Sequence, residues 1–245
     1  MAPQLTLYTA KTCPYAHRTE LALEESGLQY TSFEIDLQNK PEWYAPRVNP
    51  VSKVPAITYG GPIVPPDNPS PESTKLAESL VLLEFIADIA EPGTLLPTDP
   101  VLRAKARFFI DTVATTIGTT YGAFVFRAES AEKVLTSIEK IQSLLPPEGY
   151  AIGPRFTIAD AAVAPFFARL EVVLEEDIGA FDVGVGPKTL KILNTDPKFA
   201  RYRKYFADIK ARESFKKTFD REPMLDRWAP KVVALRAQRQ AQATL

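Results

Sequence analysis

The sequence predicts an α/β domain over residues 1–95 followed by an all-α domain over residues 101–245. Three observations carry this reading. Near the N-terminus, two runs of strand-like alternation flank a helical run, the β-α-β order that a parallel strand pair requires. Beyond about residue 101 no convincing strand occurs, and helical periodicity recurs to the end. Between the two parts, Leu95–Pro100 reads as a linker.

The elements follow in order. Leu5-Thr-Leu-Tyr-Thr alternates apolar and polar residues and reads as a first strand. Pro14 suits the first turn of a helix, where a missing N–H leaves nothing unpaired. Leu21, Leu23 and Leu28 follow at roughly helical spacing, with Gly27 as the C-cap. Tyr30–Leu37 reads as a second strand and Val54–Tyr59 as a third, ended by Gly60-Gly61. Five prolines within 61–75 mark a long surface loop. Leu76–Glu78 is a short strand, and Ser79 opens an amphipathic helix that stops at Glu91-Pro-Gly. In the second domain, helices are expected over 101–128, 130–145, 197–211, 212–220 and 226–243. Another is expected to start at Thr157-Ile-Ala-Asp160, a capping-box pattern before an apolar run.

Composition excludes several classes. Twenty-nine basic residues oppose 30 acidic ones, a net charge of -1. No long-range field therefore draws the chain to nucleic acid or to anionic membranes. The longest apolar stretch, Ala161–Ala168, is far shorter than the ~20 residues of a bilayer span. The N-terminus shows no basic segment followed by an apolar one, and Ala-Thr-Leu at the end is no peroxisomal address, so a cytoplasmic protein is expected. The tail after Asp226 carries Arg227, Lys231, Arg236 and Arg239 with no acidic residue, and reads as a solvated helix face. Proline, at 22 of 245 residues, is enriched over the usual ~5% and marks turns and helix starts. One cysteine and one histidine leave no disulfide framework, no four-cysteine zinc site and no histidine-pair metal site.

The remaining chemistry concentrates at three places. Cys13 stands between the first strand and the helix beginning at Pro14. A helix N-terminus offers unpaired N–H groups and about half a positive charge, which favours a thiolate. Lys11 and Arg18 add charge, so an acidic thiol is expected; the alternative is an inert buried cysteine. Position 16 is Ala16, so there is no partner thiol for an internal dithiol cycle. His17 reads as a helix-surface residue rather than a base. Val54-Pro55 precedes a strand; trans is the default for such a bond. Glu78-Ser79 lies where strand meets helix. The hydroxyl and helix N–H groups suit a carboxylate, and Glu78 suits an ammonium, so the pair would hold an α-amino acid end. A plain N-cap is the alternative for Ser79.

Taken in this order, these features resemble the glutathione transferases, the Omega class most closely. The resemblance is carried by Cys13-Pro-Tyr-Ala-His-Arg, Asn39-Lys-Pro-Glu-Trp43, Val54-Pro55, Glu78-Ser79 and the helix-capping motif Phe156-Thr-Ile-Ala-Asp160. It runs from Leu5 to about residue 220. It implies a thioredoxin-like N-terminal domain, an active site between that domain and the helical one, and a homodimer. Val54-Pro55 then takes the place of a cis-proline that presents the Val54 backbone to an extended peptide. Glutathione is the implied co-substrate, with no metal. By resemblance, Cys13 forms a mixed disulfide with glutathione, and Tyr15 lies beside the thiol. Val54 and Pro55 meet the cysteinyl part, Glu78 and Ser79 the γ-glutamyl end, and Lys40 the glycyl carboxylate. Without the resemblance Lys40 is a solvated charge.

The implied activity is that of a glutathione-dependent thioltransferase or reductase acting on disulfides, dehydroascorbate or glutathionyl-ketones. One alternative is a non-catalytic carrier of hydrophobic or phenolic small molecules. Of the helical domain's aromatic residues, Tyr121, Phe124 and Trp228 are then expected to line the pocket. Another is a glutathionyl-hydroquinone reductase, a group that shares the cysteine motif but usually has Trp where Tyr15 stands.

Overall fold

A computed structural model describes residues 2–243. Strands β1 (Leu5–Thr9), β2 (Thr31–Glu34), β3 (Ala56–Tyr59) and β4 (Thr74–Ala77) form one sheet in the order β2-β1-β3-β4. Helix α1 (Pro14–Ser26) carries the chain from β1 to the parallel β2, with Thr6 opposite Thr31. β3 runs antiparallel to β1, Leu7 facing Ile57, and β4 runs antiparallel to β3. Side chains alternate across a strand, and β1 uses both faces. Leu5 and Leu7 join the main core with α1 and α3 (Ser79–Ile89), while Tyr8 joins a smaller cluster with Ile35, Tyr44 and Val48. All five β1 residues are buried, so the residues that follow it leave from a fixed platform.

The remaining helices are α4 (Pro100–Thr115), α5 (Ile117–Arg127), α6 (Ala131–Gln142), α7 (Ile158–Glu175), α8 (Val185–Thr195), α9 (Ala200–Lys210), α10 (Glu213–Thr218) and α11 (Glu222–Ala243). Among the described residues no strand follows β4. Helix α7 is the axis of the helical part and is buried along nearly its whole length. It packs on α1 and α3 of the first domain and on α4, α5, α8 and α9 of the second. The expected capping box starts it: Thr157 and Asp160 bond reciprocally across the first turn. Asp160 is fully buried and also accepts from the Ala151 amide and the Tyr205 hydroxyl, at 2.8 and 2.7 Å.

Several elements differ from the sequence reading. The helix expected over 101–128 breaks at Thr116 (φ -112°, ψ -94°). Thr112, Thr115, Thr116, Thr119 and Thr120 each bond a carbonyl three or four residues back, which competes with regular helix formation. Helices α8 and α2 (Tyr44–Arg47) were not expected. Gly184, Gly186 and Pro187 look like helix breakers, yet the Asp177 carboxylate accepts the Gly184 and Gly186 amides at 2.7 and 3.0 Å and so caps α8 from a distance. On α11, Arg227 and Lys231 are exposed, as a solvated helix face requires, while Arg236 and Arg239 are half-buried. Arg227 pairs with Asp36 at 2.8 Å beyond β2. Arg236 bonds the carbonyls of Asp177 and Gly179, and Arg239 bonds the carbonyl of Ala180 and the Asp182 carboxylate. The proline-rich loop is tied down from within the first domain. Tyr8 donates to the Pro66 carbonyl at 2.7 Å, and Gln4 and Val64 exchange two bonds.

Candidate active site

Cys13 is the N-cap of α1, with Pro14 in the first turn and Gly27 in the left-handed conformation at the other end (φ 71°), as the sequence predicts. Its amide closes the turn after β1 by bonding the Ala10 carbonyl at 2.8 Å. The half-buried thiol points at the Val54 carbonyl, 3.8 Å away. The Val54–Pro55 bond is cis. Lys40 donates to the Ser52 carbonyl at 2.5 Å, so its ammonium lies against the segment leading to Val54.

The expected acidic thiol is corrected. Burial pushes the Cys13 thiol up from its ordinary value, and a charge effect from Glu20 adds to this. The Ala16 and Tyr15 amides and the Arg169 guanidinium pull the other way and do not win. The helix N-terminus acts as argued, but desolvation of the charged form is the larger effect.

Glu78 and Ser79 open α3. Glu78 holds φ 71° and ψ 109°, a backbone conformation that residues other than glycine rarely adopt. Its carboxylate is exposed and makes no hydrogen bond or ion pair among the described residues. Ser79 is buried and accepts from Arg18 at 3.2 Å. Arg18 also donates to the Ala162 carbonyl at 2.8 Å and lies over the rings of Tyr15 and Phe166, 5.3 and 4.8 Å from their centroids. Burial lowers its pKa to about 10. This one arginine therefore joins α1, α3 and α7 around the candidate site.

A second buried polar group lies behind the thiol. His17 is 1% exposed, not a helix-surface residue. Its Nδ1 accepts from Arg169 at 3.2 Å, which leaves Nε2 to donate to Thr218 Oγ1 at 2.9 Å. Burial and the neighbouring Arg169 and Lys11 hold it well below the usual histidine range, so it is neutral. Arg169, on α7, was missed by sequence reasoning. The available signal was a lone arginine between Ala168 and Leu170 at the end of the longest apolar run.

Of the expected pocket aromatics, Tyr121 is buried in the core cluster and Trp228 is half-buried against it. Tyr15, Phe166, Tyr121 and Trp228 form a chain of ring contacts, with centroids 5.5, 5.9 and 6.4 Å apart, and Phe126 meets Trp228 at 5.3 Å. The Tyr121 hydroxyl is buried with no hydrogen-bond partner. Phe124 does not belong to this chain. It is fully buried and stacks on Phe181 at 4.4 Å, as core.

Among the described residues no group of three or more His, Cys, Asp or Glu side chains could hold a metal ion. No helix among them is long and apolar enough to cross a membrane.

Comparison with known proteins agrees with this geometry. Family models for the N-terminal and C-terminal domains of glutathione S-transferases match residues 12–89 and 125–208. A probable glutathione S-transferase of Nicotiana tabacum is 30% identical over 78% of each chain. The crystal structure of glutathione transferase Omega 1C from Trametes versicolor superposes with a TM-score of 0.91 at 52% identity, covering 95% of this chain and 98% of that one. Omega 2S from the same fungus, in complex with 2,4-dihydroxybenzophenone, gives 0.84 at 47% identity, covering 89% and 94%.

Proposed function

The chain belongs to the glutathione transferases and is of the Omega type, and from that premise we propose that it is a glutathione-dependent thioltransferase or reductase working through a Cys13–glutathione mixed disulfide. The observation that carries the reading is the position of the only thiol. Cys13 caps α1, its sulfur faces the Val54 carbonyl, and the unpaired Glu78 and the Arg18–Ser79 pair stand at the head of α3. Each proposed contact matches the chemistry of glutathione. Lys40 faces the glycyl carboxylate, Val54 pairs with the cysteinyl backbone, Ser79 takes the γ-glutamyl carboxylate and Glu78 its ammonium.

In the first step the Cys13 thiolate attacks the glutathione sulfur of a mixed disulfide R–S–SG. The Cys13–SG bond forms as the R–S thiolate leaves. In the second, a free glutathione thiolate attacks that bond, releasing glutathione disulfide and regenerating Cys13. A glutathionyl-ketone follows the same first step, with an enolate leaving and taking a proton from water. A thiol pushed up by burial is less ionised, but its thiolate is intrinsically the stronger nucleophile. A lone free cysteine also suits a reducing compartment rich in glutathione, which supports a cytoplasmic setting. The homodimer is part of the same proposal.

A second reading has its own observation. The exposed Tyr15 and half-buried Trp228, backed by the buried Phe166 and Tyr121 with its unpaired hydroxyl, suit a planar aromatic ligand stacked on the outer two rings. Carriage of phenolic molecules would then accompany catalysis. Comparison of thioltransferase turnover in the native protein and in Cys13→Ser tests the main reading, because serine cannot form the disulfide. Full turnover in the variant would refute it.

A further inference from the structure

Arg169 is 1% exposed and fully buried, yet no carboxylate forms an ion pair with it among the described residues. Its donors converge on one place. Nη2 bonds the Lys11 carbonyl at 2.8 Å and Nε the Thr12 carbonyl at 3.3 Å, the two residues immediately before Cys13. Nη1 bonds the Pro165 carbonyl on its own helix and Nδ1 of His17. The Phe219 ring lies 5.6 Å from the guanidinium carbon. His17 is fixed in turn. It stacks on Phe219, donates to Thr218, and the Thr218 hydroxyl donates to the Ser214 carbonyl at 2.7 Å. A guanidinium reaches in from the helical domain and grips the turn that carries the thiol.

A buried cation without an anion is costly to keep, and an apolar side chain would fill the same space. We propose that Arg169 is a positioning residue for Cys13: it clamps the carbonyls of Lys11 and Thr12 and places a buried positive charge that favours the Cys13 thiolate, while neutral His17 holds the guanidinium in place. This rests on Cys13 being the reacting thiol. Protonation of His17 would set two cations against each other, so the clamp needs the neutral imidazole that burial enforces. The charged and titratable groups acting on Cys13 come from three helices. They are Arg18 and Glu20 on α1, Tyr44 on α2 and Arg169 on α7, with the amides of Tyr15 and Ala16 donating directly. Glu20 opposes the thiolate; burial pushes its own carboxyl up from the usual range, and Thr9 donates to it at 2.5 Å. Arg169 is thus a cation that acts on the thiol from outside its own helix.

The test uses the full chain and the rate of iodoacetamide alkylation against pH, which reports Cys13 alone because the sequence has no other cysteine. The native midpoint should lie above that of an ordinary thiol. In Arg169→Gln it should rise further, by about one pH unit. Turnover should fall about tenfold with KM for glutathione nearly unchanged, the pattern of a lost contribution to the reacting state. Arg169→Lys keeps the charge but cannot reach both carbonyls, so its midpoint should stay native while its turnover falls. A folded Arg169→Gln with the native midpoint overturns the proposal. If that variant does not fold, Arg169→Lys decides: native turnover overturns the clamp, and a midpoint raised by a full unit overturns the charge. Retained turnover in Cys13→Ser would instead sink the underlying reading, and the alkylation profile would stand apart from it.

Discussion

Glu78 offers the sharpest separation of binding from folding. Its backbone sits at φ 71° and its carboxylate has no partner among the described residues, a combination that stability alone does not favour. A positive-φ residue other than glycine costs about 1–3 kcal/mol, and such residues persist mainly at functional sites. An ammonium held by a carboxylate contributes about 1.5–3 kcal/mol. Glu78→Gln removes the charge and keeps the backbone, so glutathione affinity should fall by roughly 10- to 150-fold. Glu78→Gly removes the carboxylate and the backbone strain together. Its affinity should fall as far, while its stability should rise by about 1 kcal/mol once the extra freedom of glycine in the unfolded chain is subtracted. The assay is calorimetric titration with glutathione in a Cys13→Ser background, paired with urea unfolding of each variant. Affinity unchanged within about twofold in Glu78→Gln, or clear destabilisation of Glu78→Gly, would refute the reasoning.

Three further outcomes follow from the same structure. Asp160→Ala strands the buried donors of Ala151, Thr157 and Tyr205, each worth about 1–3 kcal/mol. Partly offset by no longer burying a carboxyl, the loss should be about 3–5 kcal/mol in urea unfolding, and a loss below about 1 kcal/mol would contradict the role of the capping box. His17 is held neutral with a depressed pKa, so the unfolded chain binds the extra proton. Its stabilisation should be complete above about pH 6.5 and fade as pH falls below it, and His17→Gln should flatten that slope. An equal slope in both proteins would speak against a buried neutral imidazole. Anilinonaphthalene dye bound at the Tyr15 and Trp228 rings should be displaced by glutathione conjugates of aromatic compounds. Dye that ignores them belongs elsewhere, the groove of about 430 Å³ lined by Leu102, Phe108 and Leu144 being one such place.

Much of the fold was legible because its signals are local. Alternation marked β1, the proline after Cys13 marked the start of α1, and Thr157 with Asp160 marked the start of α7. The failures have non-local causes. α8 depends on Asp177 reaching across to cap Gly184 and Gly186, and nothing in the sequence from Gly184 to Pro187 announces that partner. Cys13, Val54, Lys40, Glu78 and Ser79 are candidates by motif, and the chemistry proposed for each is readable one residue at a time. The state of the thiol was not. Helix-terminus reasoning includes the favourable field but omits burial, which is a property of the packed chain. His17 and Arg169 escaped for the same reason, since their contact joins residues 152 positions apart. Phe124 shows the converse limit: aromatic character marked it as a pocket residue, and packing against Phe181 makes it core.

The central claim is that Cys13 exchanges a disulfide with glutathione. Intact-mass measurement after incubation with glutathione disulfide tests it most directly, because the chain has one thiol and therefore one site. The native protein should gain a single glutathionyl group and lose it to excess reduced glutathione, and Cys13→Ser should gain none. An unmodified native protein that still turns over a glutathionyl disulfide would contradict it.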